Sequence, residues 1–423
     1  MNIGFFSETY KPDINGVITS IESFRSELEA AGHTVYVFAP DTHLFQVPWR
    51  KQKRERRVFR FSSFQYPAYK SIRVALPVNI PVARKVPSLK LDVVHSHTPF
   101  SLGLFASWVA RKYDIPHVHT YHTLYPEYAK FYFPGFKKWN QKSAEMLSAL
   151  FCNQATEIIA PSDDINRKLK RYGIRRPVTT LPTGVDREFF TTAGAGKNGG
   201  GAGGIRGRFG IPASAPLLIT VARLGREKSI DFILRSFVRI RKQVPDAHYL
   251  IVGDGPARLE LETLSRELGI ADRVVFTGFL GSRRDVVRAY AAADLFVFAS
   301  RTDTQCLTIL EAAAAGLPVV AVKDKPLELA LHDGRNGYAA PPREAAFAAK
   351  ATLLLTDRAR ARRFGAASRK IARGLSAKTQ AKKLLTVYER ARREEFSAQD
   401  PKRLSEAFKR VRRSFDLRPK IRR

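Results

Sequence analysis

The sequence predicts an α/β protein made of two Rossmann-like domains, and three observations carry the prediction. Short apolar runs alternate with helical patterns from Met1 to about residue 190. The same alternation restarts at Leu217. Between the two lies AGAGKNGGGAGG, residues 193–204, which has no side chains able to make a core. Strand-helix alternation implies parallel sheets covered by helices on both faces. At 423 residues, each half can bury a core of its own. The chain therefore divides into a first domain over 1–190, a glycine-rich junction over 191–210, a second domain over 211–380 and a basic helical tail over 381–423.

In the first half, strands are expected at Ile3–Ser7, Val35–Ala39, Val58–Phe61, Val93–His97, His117–Thr120, Ile158–Pro161 and Val178–Pro182. Val17–Ala31 reads as an amphipathic helix stopped by Gly32. In the second half, Leu217–Ala222, Tyr249–Gly253, Val274–Gly278, Asp294–Ser300 and Pro318–Val322 read as strands. Ser229–Gln243, Ala257–Leu268 and Asp285–Ala292 read as the helices between them. Residues 344–396 look helical throughout and are placed to pack across both halves. Ligands of such sheets bind at the carboxyl ends of the strands, so two facing domains put the site in the cleft between them.

Composition narrows the setting. Hydrophobic residues at 44% and charged residues at 26% describe a soluble globular protein. No apolar run reaches the length of a membrane-spanning helix. The opening MNIGFFSETYKP lacks a basic start and a cleavage site and reads as a buried strand, not a signal peptide. Cys152 and Cys306 match no metal spacing, and a reduced, cytoplasmic setting is the expectation.

The charge is unusual. Lys and Arg number 72 against 39 acids, a net +33, which calls for polyanionic surroundings such as nucleic acid or anionic lipid, or reflects merely a basic proteome. The basic residues cluster. Arg50, Lys51, Lys53, Arg54, Arg56 and Arg57 form one knot, and Pro401–Arg423 forms another. In that tail Leu404, Phe408, Val411 and Phe415 recur at helical spacing while Lys409, Arg410, Arg412 and Arg413 occupy other faces. Such a helix can lie on an anionic membrane, or dock on the body of the protein with its charges in water.

The most informative stretch is SRTDTQCLTILEAAAAGLPVVAV, residues 300–322. A strand ends, a polar turn follows, and a helix is expected to open with Thr304, Gln305 and Cys306 among its first residues. Asp303 and Glu311 stand eight positions apart, roughly 12 Å along a helix axis. That exceeds the roughly 5–10 Å separation of a glycosidase carboxylate pair. It suits two anchors on one elongated ligand, with a phosphate between them at the positive helix end, the layout of a sugar nucleotide. An ordinary strand-turn-helix with a solvated Asp303 and a capping Thr or Asp fits the same residues.

Other candidates lie at strand ends. Gly16, in PDINGV, would let backbone amides approach a phosphate or sugar closely. His122 falls just past its strand among Tyr121, Tyr125 and Tyr128, within a ligand's reach. Alternation puts His95 and His97 on one buried face, as structural residues. No Cys or carboxylate spacing completes a zinc site around these histidines. In TVARLGREKSID, Arg223 offers a bidentate fork to phosphate and Lys228 a point charge. With those cations a metal is unnecessary to neutralise a leaving diphosphate, and the chain has no Asp-x-Asp pair. In a chain this basic, the same loop also reads as an ordinary basic loop. Gly253 and Gly255 follow a strand, but Arg258 stands where the third glycine of a dinucleotide fingerprint belongs.

Together NIGFFSETYKPDINGVITSIESF, DVVHSHTPFSLG, TYHTLYPEY, LPTGVD, VARLGREKSID, LIVGDGP, FTGFL and TDTQCLTILEAAAAGLPVVA resemble the retaining family-4 glycosyltransferases of GT-B fold, from Met1 to about Ala340. Within that family the look is nearest to bacterial diacylglycerol glucosyltransferases. The resemblance implies a nucleotide-sugar donor held by the C-terminal domain and an acceptor on the N-terminal one. It places Gly16 at the donor diphosphate, His122 at the sugar's hydroxymethyl side, Arg223 and Lys228 on the leaving diphosphate, Asp303 on the sugar hydroxyls and Glu311 on the ribose. Gln305 and Cys306 fall in the donor-binding turn. The acceptor would attack on the leaving-group side, with no protein nucleophile, metal or cofactor. Two positions depart from the family pattern: Asp303 stands for its first glutamate, and Cys306 for a usual glycine.

The implied activity is hexosyl transfer, UDP-glucose favoured, to a lipid such as diacylglycerol at the inner face of the cell membrane. A GDP-mannose-dependent mannosyltransferase is the alternative. The rivals of other classes are an oxidoreductase, which lacks the third glycine, an inactive scaffold, and a nucleic-acid binder, whose aromatic patterns are absent.

Overall fold

The computed structural model describes residues 1–423 except 14, 42–55, 66–72, 77–78, 125–136, 192–203, 301–302 and 394–423. The tail 401–423, most of the basic knot at 50–57, nearly all of the glycine-rich stretch, and Tyr125 and Tyr128 therefore lie outside the described residues.

The N-terminal strands are β1 (Asn2–Phe6), β2 (Thr34–Pro40), β3 (Val58–Phe61), β4 (Ser63–Gln65), β5 (Arg73–Ala75), β6 (Val93–Ser96), β7 (His117–Thr120), β8 (Glu157–Ala160) and β9 (Val178–Thr180). Seven of them form one parallel sheet in the order β3-β2-β1-β6-β7-β8-β9, while β4 and β5 pair as a separate hairpin. Its helices are α1 (Gly16–Ala30), α2 (Ile80–Lys85), α3 (Ser101–Lys112), α4 (Lys137–Cys152) and α5 (Asp163–Arg171). Period-two alternation divides β1 between two cores. Ile3 and Phe5 pack with Ile21 and Phe24 of α1 on one side, and Phe6 packs with Leu102 and Phe105 of α3 on the other.

The helix boundaries have local causes. Asn15 is extended (φ −159°) and its Oδ1 accepts from the Ile18 amide at 3.0 Å, so α1 starts there. Gly32 at φ +85° ends it. α3 has no capping side chain of its own. Buried Glu8, at the end of β1, supplies one by accepting from Leu102 N at 2.6 Å and Ser101 Oγ at 2.5 Å.

The second sheet is parallel in the order β12-β11-β10-β13-β14-β15. Its strands are β10 (Leu217–Val221), β11 (His248–Val252), β12 (Val274–Phe276), β13 (Leu295–Phe298), β14 (Val319–Val322) and β15 (Gly337–Ala340). They alternate with α6 (Ile230–Gln243), α7 (Arg258–Glu267), α8 (Arg283–Ala292) and α9 (Leu307–Ala315). Cores lie on both faces of this sheet, and Phe189 and Ile205, which precede its first strand, belong to one of them.

The stretch expected to be helical over 344–396 is helical through its described part, as three helices, α10 (Glu344–Thr356), α11 (Arg358–Gly374) and α12 (Ala377–Arg393). The breaks occur where short polar side chains cap the following helix. Asp357 accepts from Arg360 N at 2.9 Å and Ser376 from Thr379 N at 3.3 Å. α12 then returns to the first sheet, where Leu384, Val387, Tyr388 and Ala391 join the core of Ile3 and Phe5. The chain thus passes between the two units twice, and the passages are bonded to each other. Val185 N donates to Leu375 O and Ala377 N to Val185 O, each at 2.9 Å. A Cβ on Gly184 would stand 2.4 Å from Ala377 Cα, so this contact needs glycine.

Candidate active site

The carboxyl ends of β10, β11 and β13 carry one group of candidate residues. Arg223 follows β10 on a turn that lies against the turn after β11. A Cβ on Gly253 (φ +127°) would stand 2.0 Å from Ala222 O, and one on Gly255 2.5 Å from Leu224 O. Leu224 N donates to Asp254 O and Ala257 N to Leu224 O, both at 2.9 Å. The two glycines are therefore explained by the close approach of two backbones, which fixes where Arg223 stands. Buried Glu227 accepts from Arg223 Nη2 at 2.6 Å and lies in the space that a side chain on Gly225 would fill. The guanidinium is held before any ligand arrives.

Lys228 pairs with Asp303, and both side chains are only 17% exposed. A pair so withdrawn from water is held in one geometry and costs desolvation energy. Asp303 lies in the turn between β13 and α9. The expectation that helix would already include Thr304 to Cys306 is corrected here, because α9 opens at Leu307. Cys306 has φ +58° and ψ +51°, a left-handed conformation that ends regular structure. That is a backbone state glycine adopts without strain. Burial, and then the Asp303 charge, hold the Cys306 thiol well above its ordinary pKa, so it stays protonated.

The same turn joins the two units. Thr304 Oγ1 donates to the His122 carbonyl at 2.9 Å, and Ser162 Oγ donates to the Thr304 carbonyl at 2.8 Å. Gln305 Nε2 donates to Thr183 O at 2.7 Å while Thr183 N donates to Gln305 Oε1 at 2.8 Å. Gln305 was expected among the substrate-binding residues. In this structure its buried amide is committed to the Thr183 peptide, and it holds the turn in place.

His122 faces this turn from the end of β7. Its Nε2 lies 3.0 Å from His97 Nδ1 and the two rings stack at 5.3 Å. Burial drives its pKa down to about 3, so the ring is neutral at physiological pH. His97 is buried, and its Nε2 has no hydrogen-bond partner among the described residues. His95 is buried between Tyr388 and Thr120, whose hydroxyls lie 2.6 and 2.7 Å from its ring nitrogens. No group of three His, Cys, Asp or Glu is arranged to hold a metal among the described residues.

Glu311 sits one turn into α9, buried, and accepts from Tyr290 Oη at 3.0 Å. Burial lifts its pKa to about 7, against the opposing pull of Arg283 and the Tyr290 hydroxyl. Arg283 in turn pairs with Asp186, which also accepts from Ser23 Oγ at 2.6 Å. Gly16 is exposed at the start of α1, with nothing within 4 Å of where a Cβ would point. The structure brings His122, Asp303 and Lys228 together through the 303–306 turn, with Arg223 on the neighbouring loop. Glu311 belongs to an adjoining cluster with Tyr290, while Gly16 is exposed at the first residue of α1.

Sequence reasoning missed the partners of these residues. Ser162, Thr183, Asp186, Glu227, Arg283 and Tyr290 lay unremarked, although Thr183 and Asp186 both fall in the LPTGVD segment. His95 and His97 are both buried, as their alternation predicts.

Two family models match the chain. The model for Glycosyltransferase Family 4 covers residues 14–189, and that for Glycosyl transferases group 1 covers residues 204–371. The chain is 34% identical to the alpha-monoglucosyldiacylglycerol synthase of Acholeplasma laidlawii, over 80% of this chain and 84% of that protein. It is 30% identical to a GDP-mannose-dependent alpha-mannosyltransferase of Mycolicibacterium smegmatis, over 88% of this chain and 92% of that one. Among solved structures, the Anabaena HepE protein in complex with UDP superposes with a TM-score of 0.71 over 92% of this chain and 100% of that one, at 18% identity.

Proposed function

Because the chain belongs to the family-4 glycosyltransferases of GT-B fold, we propose that it moves glucose from UDP-glucose to diacylglycerol or a similar lipid, with retention at the anomeric carbon. The work is placed at the inner face of the cell membrane. The observation that carries this reading is the meeting of Arg223, the Lys228–Asp303 pair and His122 at facing strand ends, in a chain with this degree of likeness to a monoglucosyldiacylglycerol synthase.

In this reading the donor diphosphate lies against Arg223 and Lys228. Negative charge grows on the diphosphate as the glycosidic bond breaks, so fixed cations lower the barrier without reorganising. Glu227 and Asp303 keep those cations in position, and no metal is assigned a part. Asp303 has oxygen lone pairs for sugar hydroxyls beside its ion pair, and neutral His122 offers the sugar a ring nitrogen without adding charge. Glu311 takes the ribose hydroxyls, the backbone around Cys306 meets the phosphate, and Gly16 leaves room for the diphosphate on the opposite domain. Retention is favoured because the relatives' names specify alpha products and the common donors are themselves alpha-linked. Among the described residues no helix is long and apolar enough to cross a membrane, so contact with a lipid acceptor would be made from the surface.

Mannosyl transfer from GDP-mannose is the second reading, favoured by the mycobacterial relative. Incubating the full chain with labelled UDP-glucose or GDP-mannose and a lipid panel separates the two. An alpha-glucosyl lipid from UDP-glucose is the expected product. Transfer from neither donor, together with tight salt-sensitive binding to DNA, would overturn the enzymatic reading.

A further inference from the structure

The outer side of α3 is built unlike a solvated helix face. Its inner residues Leu102, Phe105, Ala106 and Val109 are buried against the first sheet. From Ser101 to Lys112 the exposed residues are Leu104, Trp108, Arg111 and Lys112, apolar or cationic without exception. Leu104 is 53% exposed and Trp108 40%, about 6 Å apart along the axis. Single exposed leucines are ordinary, but this pair has neighbours of the same kind. Ile80 opens α2 at 56% exposure, and Phe64 within β4 and Leu76 just after β5 are 47% exposed each. The inner residues Ala75 of β5, Val82 of α2 and Val86 just after it share the α3 core, so all of these groups lie on one layer of the domain.

The charge of this layer points to one occupant. Between Ile80 and Tyr113 the chain has Arg84, Lys85, Lys90, Arg111 and Lys112, all exposed, and one acid. That acid, Asp92, is engaged by the Asn2 amide and by Arg392. Asp114 follows just beyond. Lys112 Nζ lies 4.7 Å from the centre of the Trp108 ring, and these two with Arg111 line an open hollow of about 380 Å³. An indole beside ammonium and guanidinium groups suits the headgroup level of a bilayer, where the ring meets acyl chains and the cations meet phosphate. A second copy of the chain fits poorly, because like faces would bring Arg111 and Lys112 against the same cations.

We propose that this face, with Leu104 and Trp108 at its centre, is the surface by which the protein lies on an anionic bilayer. It rests on the membrane-surface part of the proposed function, but not on which sugar or lipid reacts. α3 begins just after the β6 end where His97 stands, so Leu104 is the part of this face nearest the strand ends.

The test is sedimentation of the full chain with vesicles of phosphatidylcholine containing an equal part of phosphatidylglycerol, at about 0.1 M salt. The double substitution Leu104→Ser with Trp108→Ser, and separately Arg111→Glu with Lys112→Glu, should each lower association by about tenfold or more. Leu259→Ser, an exposed leucine of the other domain, should leave it unchanged, and circular dichroism checks that all variants fold. In a variant with Trp49→Phe and Trp139→Phe, Trp108 fluorescence should be quenched by lipids spin-labelled in the acyl chain. Association unaffected by both double substitutions would overturn the proposal. So would a wild-type dimer in ultracentrifugation that the Leu104/Trp108 substitution dissolves. Vesicle binding through α3 with transfer only to a water-soluble acceptor would leave this surface standing while removing the lipid acceptor. Lipid glucosylation that ignores the α3 substitutions would do the reverse.

Discussion

Replacing Glu311 by glutamine separates what this carboxyl does to stability from what it does for the donor. Burial raises its pKa from 4.5 to about 7. The unfolded chain releases the proton around pH 4.5, while the folded chain keeps it to about pH 7. Between those values the folded state binds more protons, so this group's contribution to stability falls as pH rises and is fully lost above about pH 7. The gap in pKa corresponds to about 3 kcal/mol. Glutamine has the same shape, accepts from the Tyr290 hydroxyl through its carbonyl oxygen, and does not ionise. E311Q should differ little from the parent at about pH 5 and exceed it at about pH 8 by about 3 kcal/mol, roughly 6–12 °C in Tm. Donor affinity should move the opposite way. A carboxylate accepts two charge-assisted bonds from a ribose diol, and an amide replaces one acceptor with a donor, so UDP should bind about tenfold or more weakly. Scanning calorimetry of both proteins at each pH, with titration of UDP at about pH 8, reads both quantities. Comparison at equal pH cancels every other titrating group. Equal Tm values at about pH 8 would refute the burial argument, and unchanged UDP affinity would refute the ribose assignment.

Three other perturbations follow from the same geometry. Gly253→Ala should cost about 2 kcal/mol or more and slow turnover about tenfold, because its Cβ would stand 2.0 Å from Ala222 O and push the Arg223 turn away. A parental Tm and rate would count against that coupling. Lys228→Met should lower kcat by about 100-fold or more while moving the donor KM less, as expected for a group that stabilises the leaving charge. A change in KM alone would assign Lys228 to ground-state binding. Acidification should destabilise the first domain. Burial lowers the pKa of His117 to about 3, so the unfolded chain takes up its proton below pH 6.5 and the folded chain does not. At about pH 5 this one ring costs about 2 kcal/mol. His95, His97 and His119 act in the same direction. A urea midpoint that stays level from about pH 7.5 to 5 would refute the account.

The fold was legible because buried parallel strands read as apolar runs, and every expected strand lies within two residues of its place, although β15 was not expected. The exceptions have physical reasons. β15, with the sequence GYAA, carries little apolar signal, and its Gly337 is needed because a Cβ there would stand 2.1 Å from Val319 O. The start of α9 was misjudged because the left-handed Cys306 leaves no trace in hydrophobic periodicity. For the site, the rule that ligands meet strand ends pointed to Arg223, Lys228, Asp303 and His122. What it could not give was pairing. Lys228 meets Asp303 across 75 positions and Gln305 meets Thr183 across 122, contacts set by tertiary structure and not by spacing.

Those pairings give the 303–306 turn a role that its residues taken singly do not suggest. Asp303 fixes the Lys228 ammonium within the C-terminal unit, while Thr304 and Gln305, its immediate neighbours, are bonded to His122 and Thr183 on the other side. A turn of four residues cannot shift at one end and stay fixed at the other. Any displacement of the N-terminal unit relative to the second sheet must therefore either break the Thr304 and Gln305 bonds or carry Asp303 with it. The placement of positive charge for the donor is thereby coupled to the placement of His122 for the sugar. The left-handed Cys306 contributes to that coupling, since it turns the chain abruptly from the inter-unit contacts into α9 and leaves Glu311 anchored in the second core.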